Sequence, residues 1–525
     1  MTQAGFDSQR RRLIKLLGAA AATIGGVAGH AEAAPAFAAS PFQLGVASGS
    51  PAADGFVLWT RLIGDGASGA SVPVQWEVRD GGGAGAVVAS GTANALAALG
   101  YAVHVEVNGL AAGRQYGYRF KAGGFESAPA LARTLPDAQQ AVAGARLRLA
   151  YASCQRWEDG QYAAYRHMLA EKIDFVVFVG DYIYEGKSRD AGEAVRVHPL
   201  KRIRDLDDYR RRYALYKSDP ALQAMHAACP WLVTWDDHEV ENNYSGALST
   251  RGTANFERLR MAAYQAFYEH MPLRASTMID GLRGLQRGAE LRIYQHYDFG
   301  KLARLYLLDD RQYRARPPCG DKPKEALAAV CGGAEPDRSM FGAAQEAWLA
   351  DAMGEGAARG ARWNLLVQQT RLTPANYRYG PGVKAADDHW DAYPQARRRL
   401  LDAIRSKRPA NPLILGGDVH LNWVANVHLD PYDVRSPLIA SEFCGTSITS
   451  RNEGSQKKAE KHQDDNPHCL LVNKAKRGYG VLELSAEQAV VRLRVLDDVA
   501  RLDSGIATLA SFKVLNGQPG PKQLS

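Results

Sequence analysis

The apolar run Phe175-Val-Val-Phe-Val179 stops abruptly at Gly180-Asp181-Tyr182. So short a run of β-branched and aromatic residues reads as a strand buried on both faces, which places the chain among α/β proteins whose sheets are covered by helices. In open sheets of that kind, ligands collect just past the carboxyl ends of the strands, so Asp181 stands where a reactive carboxylate would be displayed. Alone, Gly-Asp is more often a simple turn. Here the ending recurs. Trp231–Trp235 runs into Asp236-Asp237-His238-Glu239, Leu302–Leu308 into Asp309-Asp310-Arg311, and Pro412–Gly417 into Asp418-Val419-His420. Strand-like Leu147–Ala152 leads into Ser153-Cys154, and a helical segment from Gly160 to Lys172 connects it to the run at 175. This strand–loop–helix–strand order opens an α/β domain.

Residues 41–140 have a different texture. Gly55–Arg61, Val74–Arg79, Tyr101–Val107 and Tyr116–Lys121 alternate apolar and polar side chains between Gly-rich turns, the pattern of a small antiparallel β-sandwich. Thr134-Leu-Pro-Asp137 and the Ala/Gln/Gly stretch after it form the expected linker. The α/β domain is expected over 146–515, with charged helices at 201–228 and a polar, lysine-rich surface loop at 452–477. At 525 residues, more than one domain is required.

Residues 1–38 read as a twin-arginine (Tat) signal peptide: Arg10-Arg11-Arg12 with Lys15, an apolar stretch from Leu16 to about Gly29, and small-residue sites at Ala31-Glu32-Ala33 and Ala36-Phe37-Ala38. The apolar stretch is too short for a membrane anchor. The expectation is a partnership with the Tat translocase during export and a periplasmic or secreted chain with no membrane span in its mature form. That route carries folded proteins, often with metal already in place. Without residues 1–38 the net charge falls from +8 to +6, a mild excess suited to anionic substrates, with both signs too interspersed for a stable nucleic-acid complex. Among the cysteines, Cys319–Cys331 is a plausible local disulfide and Cys444–Cys469 a weaker pair.

The strand ends supply Asp181 with Tyr184, Asp237 with His238, Asp418 with His420, and Cys154. Carboxylate, imidazole, phenolate and thiolate groups are metal ligands, and one carboxylate can bridge two ions. A dinuclear site can generate hydroxide while clamping a phosphate. Asp-Val-His by itself is more often a hydrogen-bonded core pair, but several acid-bearing strand ends in one chain point to a metal site.

In order, Ala152-Ser-Cys-Gln155, Gly180-Asp-Tyr-Ile-Tyr-Glu185, Trp235-Asp-Asp-His-Glu-Val-Glu-Asn-Asn243, Leu308-Asp-Asp-Arg-Gln-Tyr313 and Gly417-Asp-Val-His420 resemble the motif series of PhoD-like alkaline phosphatases, exported phosphomonoesterases and phosphodiesterases related to purple acid phosphatases. The resemblance spans Phe42 to roughly Leu484. It implies a metallophosphoesterase-type β-sandwich core flanked by helices, preceded by a small all-β, immunoglobulin-like or fibronectin-like domain. It also implies Fe3+ held by Cys154, Asp181, Tyr184 and His420, with Asp181 bridging. Neighbouring Ca2+ would use Asp181, Asp418 and an oxygen from Asp237, Asn242 or Asn243. Phenolate and thiolate suit a trivalent iron, and oxygen ligands suit calcium.

The expected chemistry is metal-assisted hydrolysis of a small-molecule or polymeric phosphate ester. His238 would stabilise or protonate the leaving oxygen, and Arg311 would grip a phosphate oxygen or else be paired with Asp309 and Asp310. Rival readings are a dizinc or di-iron phosphoesterase of the same fold, a catalytically degenerate envelope binding protein, and a structural calcium-binding envelope protein.

Overall fold

The structure, a computed structural model, describes residues 36–278, 290–318, 335–376, 388–452 and 454–524. The chain forms two compact units. The first comprises residues up to Leu135 together with Arg204–Trp231 and Glu257–Arg292, and the second comprises Pro136–Ile203, Leu232–Phe256 and Ile293–Ser525. The boundary at 135 falls inside the expected linker. The units otherwise depart from the contiguous 41–140 and 146–515 spans, because two later helical segments are built into the first unit.

That unit is a two-sheet structure. Val46–Ala52, Gly55–Arg61 and Ala102–Val107 pair antiparallel in one sheet. The other runs Val87–Leu96, Ser71–Arg79, Gln115–Ala122, with Phe125–Glu126 and Ala130–Arg133 both pairing with the third strand. Alternation turns Phe56, Leu58, Val103 and Val105 of one sheet toward Val74, Val78, Tyr118 and Phe120 of the other, in one buried cluster. Phe37 joins that cluster and lies so close to Gly66 that a Cβ there would meet its Cγ at 2.7 Å. Asp205 and Asp219 cap the helices Leu206–Lys217 and Pro220–Ala228 by accepting from their first amides. The helix Phe256–His270 is held to the first sheet by Trp59 Nε1, which donates to the Glu269 carbonyl at 3.0 Å, and by His104, stacked on Tyr268.

Lys217 is buried in this unit with its ammonium 4.2 Å from the centre of the Trp59 ring. Burial pushes its pKa down to about 7. An amine whose folded pKa is depressed makes the folded state bind fewer protons than the unfolded chain, so its penalty is full below pH 7 and disappears as pH rises toward its ordinary value near 10.5. Lys217→Met is therefore expected to stabilise the protein by roughly 2–4 kcal/mol at pH 6 and to flatten the rise in stability toward pH 10. Denaturant melts across that range measure both effects.

The second unit carries two sheets. One runs Gln518–Leu524, Ile506–Leu515, Gln488–Leu496, Gly478–Leu484, Leu147–Ala152, Phe175–Val179, with the last two strands parallel. The other runs Gln295–Phe299, Ala303–Leu307, Trp363–Val367, Pro412–Gly416, Leu438–Cys444, Asn422–His428, Cys469–Asn473, and is parallel through its centre. Phe175 against Phe299 and Phe443 against Phe512 join the two inner faces. On the outer face of the second sheet, Tyr306, Leu366 and Ile414 pack with Leu349 and Met353 of helix Gly342–Ala358 and Leu401 and Ile404 of helix Pro394–Lys407. The core is thus a sheet-rich sandwich flanked by helices. The lysine-rich stretch at 452–477 holds the helix Gln456–Asp464 and the edge strand Cys469–Asn473, where a loop was expected. Cys444 and Cys469 are free, for their strands flank Asn422–His428 on opposite sides, two strand widths apart and too far to bridge. The proposed Cys319–Cys331 pair lies outside the described residues. Among the described residues no helix is long and apolar enough to cross a membrane.

Candidate metal centre

The predicted acids and histidines come from loops that follow strands of the second unit, and the backbone turns sharply to bring them in. Cys154, Asp181, Asp418 and His420 all have positive φ, between 53° and 62°. Non-glycine residues rarely adopt this left-handed conformation, which persists only where surrounding contacts hold it. Here Cys154 N donates to the Gly180 carbonyl and Gln155 N to that of Asp181, tying two of the loops together. Gly180 has φ +97°, and a Cβ there would stand 2.3 Å from the Asp236 nitrogen, so only glycine lets these two loops close.

Cys154, Asp181 and His420 converge so that one ligand atom of each lies within 4.8 Å of the others. Tyr184 joins them, its hydroxyl donating to Asp181 Oδ2 at 2.6 Å and lying 3.3 Å from His420 Nε2. Ser450 Oγ donates to the Tyr184 oxygen at 2.7 Å. Asp181 also groups with Asp237 and His238, and Asp237 with Asp236 and Asp418, within the same spacing. The carboxylate of Asp181 therefore belongs to both sets, as a bridging ligand must.

Of the three candidates in the 237–243 segment, Asp237 brings its carboxylate into this cluster. Asn243 supports it, its backbone N–H donating to Asp237 Oδ2, while Asn242 lines the cavity in front. His238 Nδ1 lies 2.7 Å from Glu185 Oε2, its ring packed against Tyr184, centroids 4.1 Å apart. Burial opposes its charge, but Asp181, Asp237 and Glu185 outweigh it and push the imidazole up to about 10.

Burial raises the Cys154 thiol, the Tyr184 phenol and the Asp236 carboxyl well above their ordinary values, and Asp237 to about 7, with neighbouring acids adding to each shift. For Asp181, burial is outweighed by His238, His420 and Tyr184, which hold it below the usual range. Buried Asp237 Oδ1 and Asp236 Oδ2 accept no hydrogen bond from the described residues. Such a concentration of anionic donors, with Arg311 beside Asp236 and Asp418, is the environment in which a cation would be held. The residues fit a metal pair: a mixed sulfur, nitrogen and oxygen set on one side and an oxygen set on the other.

Arg311 is expected to grip a phosphate oxygen or else to pair with Asp309 and Asp310, and its Nε lies 3.8 Å from Asp310 Oδ1. It is fully buried, its Nε on Asp236 and its Nη1 2.9 Å from Asp388 Oδ1, with Nη2 3.5 Å from Asp418 Oδ2. Its side chain is set among acids, two of which, Asp236 and Asp418, belong to the candidate metal groups.

Several functional groups escaped the sequence reading. Glu239 is buried and accepts from the amides of Asp181, Tyr182 and Asp236, fixing the two loops. Asp388 and His389 extend the acid cluster at Asp418, His389 Nδ1 lying 3.3 Å from Asp418 Oδ2. A cavity of about 280 Å³ opens over Tyr184, His238 and His420, its rim formed by Arg156, Arg189, Arg202, Arg251 and Arg451.

The family model described as "PhoD-like phosphatase" matches residues 149–493, and that described as "PhoD-like phosphatase, N-terminal domain" matches residues 28–136. Alkaline phosphatase D of Bacillus subtilis (strain 168) is 40% identical over 508 residues, covering 94% of this chain and 84% of the relative. A solved structure titled "Structure of PhoD" superposes with a TM-score of 0.85 at 39% identity, over 94% of both chains. A purple acid phosphatase from yellow lupin seeds has a TM-score of 0.54 at 11% identity, covering 90% of this chain and 73% of its own, which is a likeness of fold.

Proposed function

The chain belongs to the PhoD-like phosphatase family and is a phosphoric ester hydrolase, and from that premise we propose that it is an exported, metal-dependent phosphoesterase acting on phosphate monoesters, diesters or both. The observation that carries the reading is the convergence of Cys154, Asp181, Tyr184 and His420 beside Asp237 and Asp418 on one floor. Fe3+ would be held by the first four residues, with Asp181 shared, and Ca2+ by Asp181, Asp237 and Asp418. When bound, these ions supply Lewis acidity and offset charge on the phosphate. The Tat-type N-terminus supports a periplasmic or secreted location.

The chain's own residues do the rest. His238 stands on the cavity floor with Nδ1 held by Glu185, leaving Nε2 to face a leaving oxygen and give it a proton. Glu185, whose Oε2 lies 2.7 Å from Nδ1, is one of the acids that favour the charged imidazolium, and it would remain its partner with cations held on Asp181 and Asp237. Gln155 locks the Cys154 loop, its Nε2 donating to the Tyr182 carbonyl and its Oε1 accepting from Tyr165.

Hydrolysis of p-nitrophenyl phosphate and bis(p-nitrophenyl) phosphate, alongside elemental analysis, tests the proposal. Turnover of neither ester by protein carrying iron and calcium would reject it. Zinc, or iron without calcium, would favour the dizinc or di-iron reading, and a visible iron–tyrosinate band supports the present one. His238→Asn is expected to lower kcat about 10²- to 10⁴-fold with metal content retained. Glu185→Gln is expected to cost about tenfold and to move the alkaline limb of the pH profile down. Loss of the negative neighbour lowers the pKa of His238, and the acid is then spent at lower pH. An unmoved alkaline limb would remove Glu185 from this role.

A further inference from the structure

The rim of the cavity is more basic than one phosphate group on its floor requires. Five arginines line it, against two carboxylates, Asp159 and Glu185. Each carboxylate is buried and shared. Asp159 Oδ1 lies 3.2 Å from Arg189 Nε and 3.5 Å from Arg451 Nε, while Glu185 Oε1 lies 3.1 Å from Arg251 Nη1 and 3.7 Å from Arg202 Nη1. Glu185 also serves His238. One carboxylate cannot neutralise two guanidinium groups, so each pair leaves positive charge in excess. The four arginine side chains are between 31% and 53% exposed and open to a ligand, whereas their anchoring acids are not.

The anchors matter because a guanidinium held by a buried carboxylate is pre-placed, and so gives up less freedom when it meets an anion than a loose surface arginine does. The fifth arginine, Arg156, lies over the Tyr184 ring with its guanidinium carbon 5.2 Å from the centre, joining rim to floor.

We propose that the two arginine pairs, Arg189 with Arg451 and Arg202 with Arg251, form a subsite for a second phosphate group on the substrate, so that the preferred substrate is a phosphate ester carrying another phosphate close to the scissile one. This rests on the phosphoesterase reading above and narrows its substrate class. A polymeric phosphodiester and a small bisphosphate share that chemistry.

The test uses the full, metal-loaded protein and three esters that release the same p-nitrophenol: thymidine 5′-(p-nitrophenyl phosphate), its 3′-phosphorylated form, and a short oligothymidylate carrying the same 5′ ester. KM is expected to be about tenfold lower for the 3′-phosphorylated ester than for the parent, with the advantage shrinking in about 0.5 M salt. The double variant Arg202→Gln/Arg451→Gln removes the more exposed member of each pair and leaves Asp159 and Glu185 each with an arginine, so folding is preserved. In it the advantage is expected to fall below about threefold. An advantage that keeps growing on the oligomer upholds the proposal with a polymer as the source, and one complete at the second phosphate upholds it with a small bisphosphate. Equal KM for the three esters in the wild-type protein, or an undiminished advantage in the double variant, would overturn it. Hydrolysis of none of them would instead strike at the phosphoesterase reading itself.

Discussion

An Asp181→Ala protein is expected to fold and yet lose about three orders of magnitude or more in turnover, together with most of its bound metal. The expectation follows from position. Asp181 is the acid common to the Cys154–His420 group and the Asp237–His238 group. Its Oδ2 accepts from Tyr184, and its Oδ1 faces the His238 amide at 3.4 Å. Removing the carboxylate takes a ligand from both halves of the floor at once, so neither half is spared by the other. Folding should survive, because the loop is held by its backbone: Asp181 N donates to Glu239 and its carbonyl accepts from Gln155 N. Elemental analysis and circular dichroism on the same preparation separate loss of metal from loss of fold. Wild-type turnover in a folded Asp181→Ala protein would end the shared-ligand account.

Arg311→Gln is expected to act on stability instead, by roughly 3–5 kcal/mol. The guanidinium is the common counter-ion of Asp236 and Asp388 and reaches Asp418. Asp236 is already pushed up by burial and by neighbouring acids although Arg311 pulls it down. Without Arg311 these acids would be buried together with far less to offset them. The denaturant midpoint should drop sharply and metal content should fall with it. An arginine that gripped substrate would behave otherwise, raising KM in a protein of unchanged stability. That second pattern would favour the phosphate-gripping role over the paired one.

The contrast shows what a linear reading can and cannot reach. Phe175–Val179 and Pro412–Gly416 were legible because burial on both faces leaves a run of apolar residues that turn residues then interrupt. The acids after them were legible because chemistry collects at such ends. Which way a side chain points after the strand stops is another matter. It depends on left-handed residues at 154, 181, 418 and 420, for which glycine is the ordinary signal and none of these is glycine. Arg311 and Asp181 both follow strands, yet one supplies counter-charge to the acid cluster and the other is one of its acids. The rim arginines carry no periodicity at all, because Arg156, Arg189, Arg202, Arg251 and Arg451 arrive on four loops, Arg189 and Arg202 sharing the one between Val179 and Leu206. Glu239 stands in the strand-end motif without a role until three backbone amides are seen to converge on it.

Phe37 bears on where an expected export signal would have to be cut. Its ring belongs to the buried cluster of the first unit, against Gly66. A peptidase cutting behind Ala38 would discard a side chain around which that cluster is filled, leaving a void where an aromatic ring had been. A cut behind Ala33 would keep it. Of the two small-residue sites read as expected cleavage points, only the earlier would leave the Phe37 ring as the stopper of that cluster.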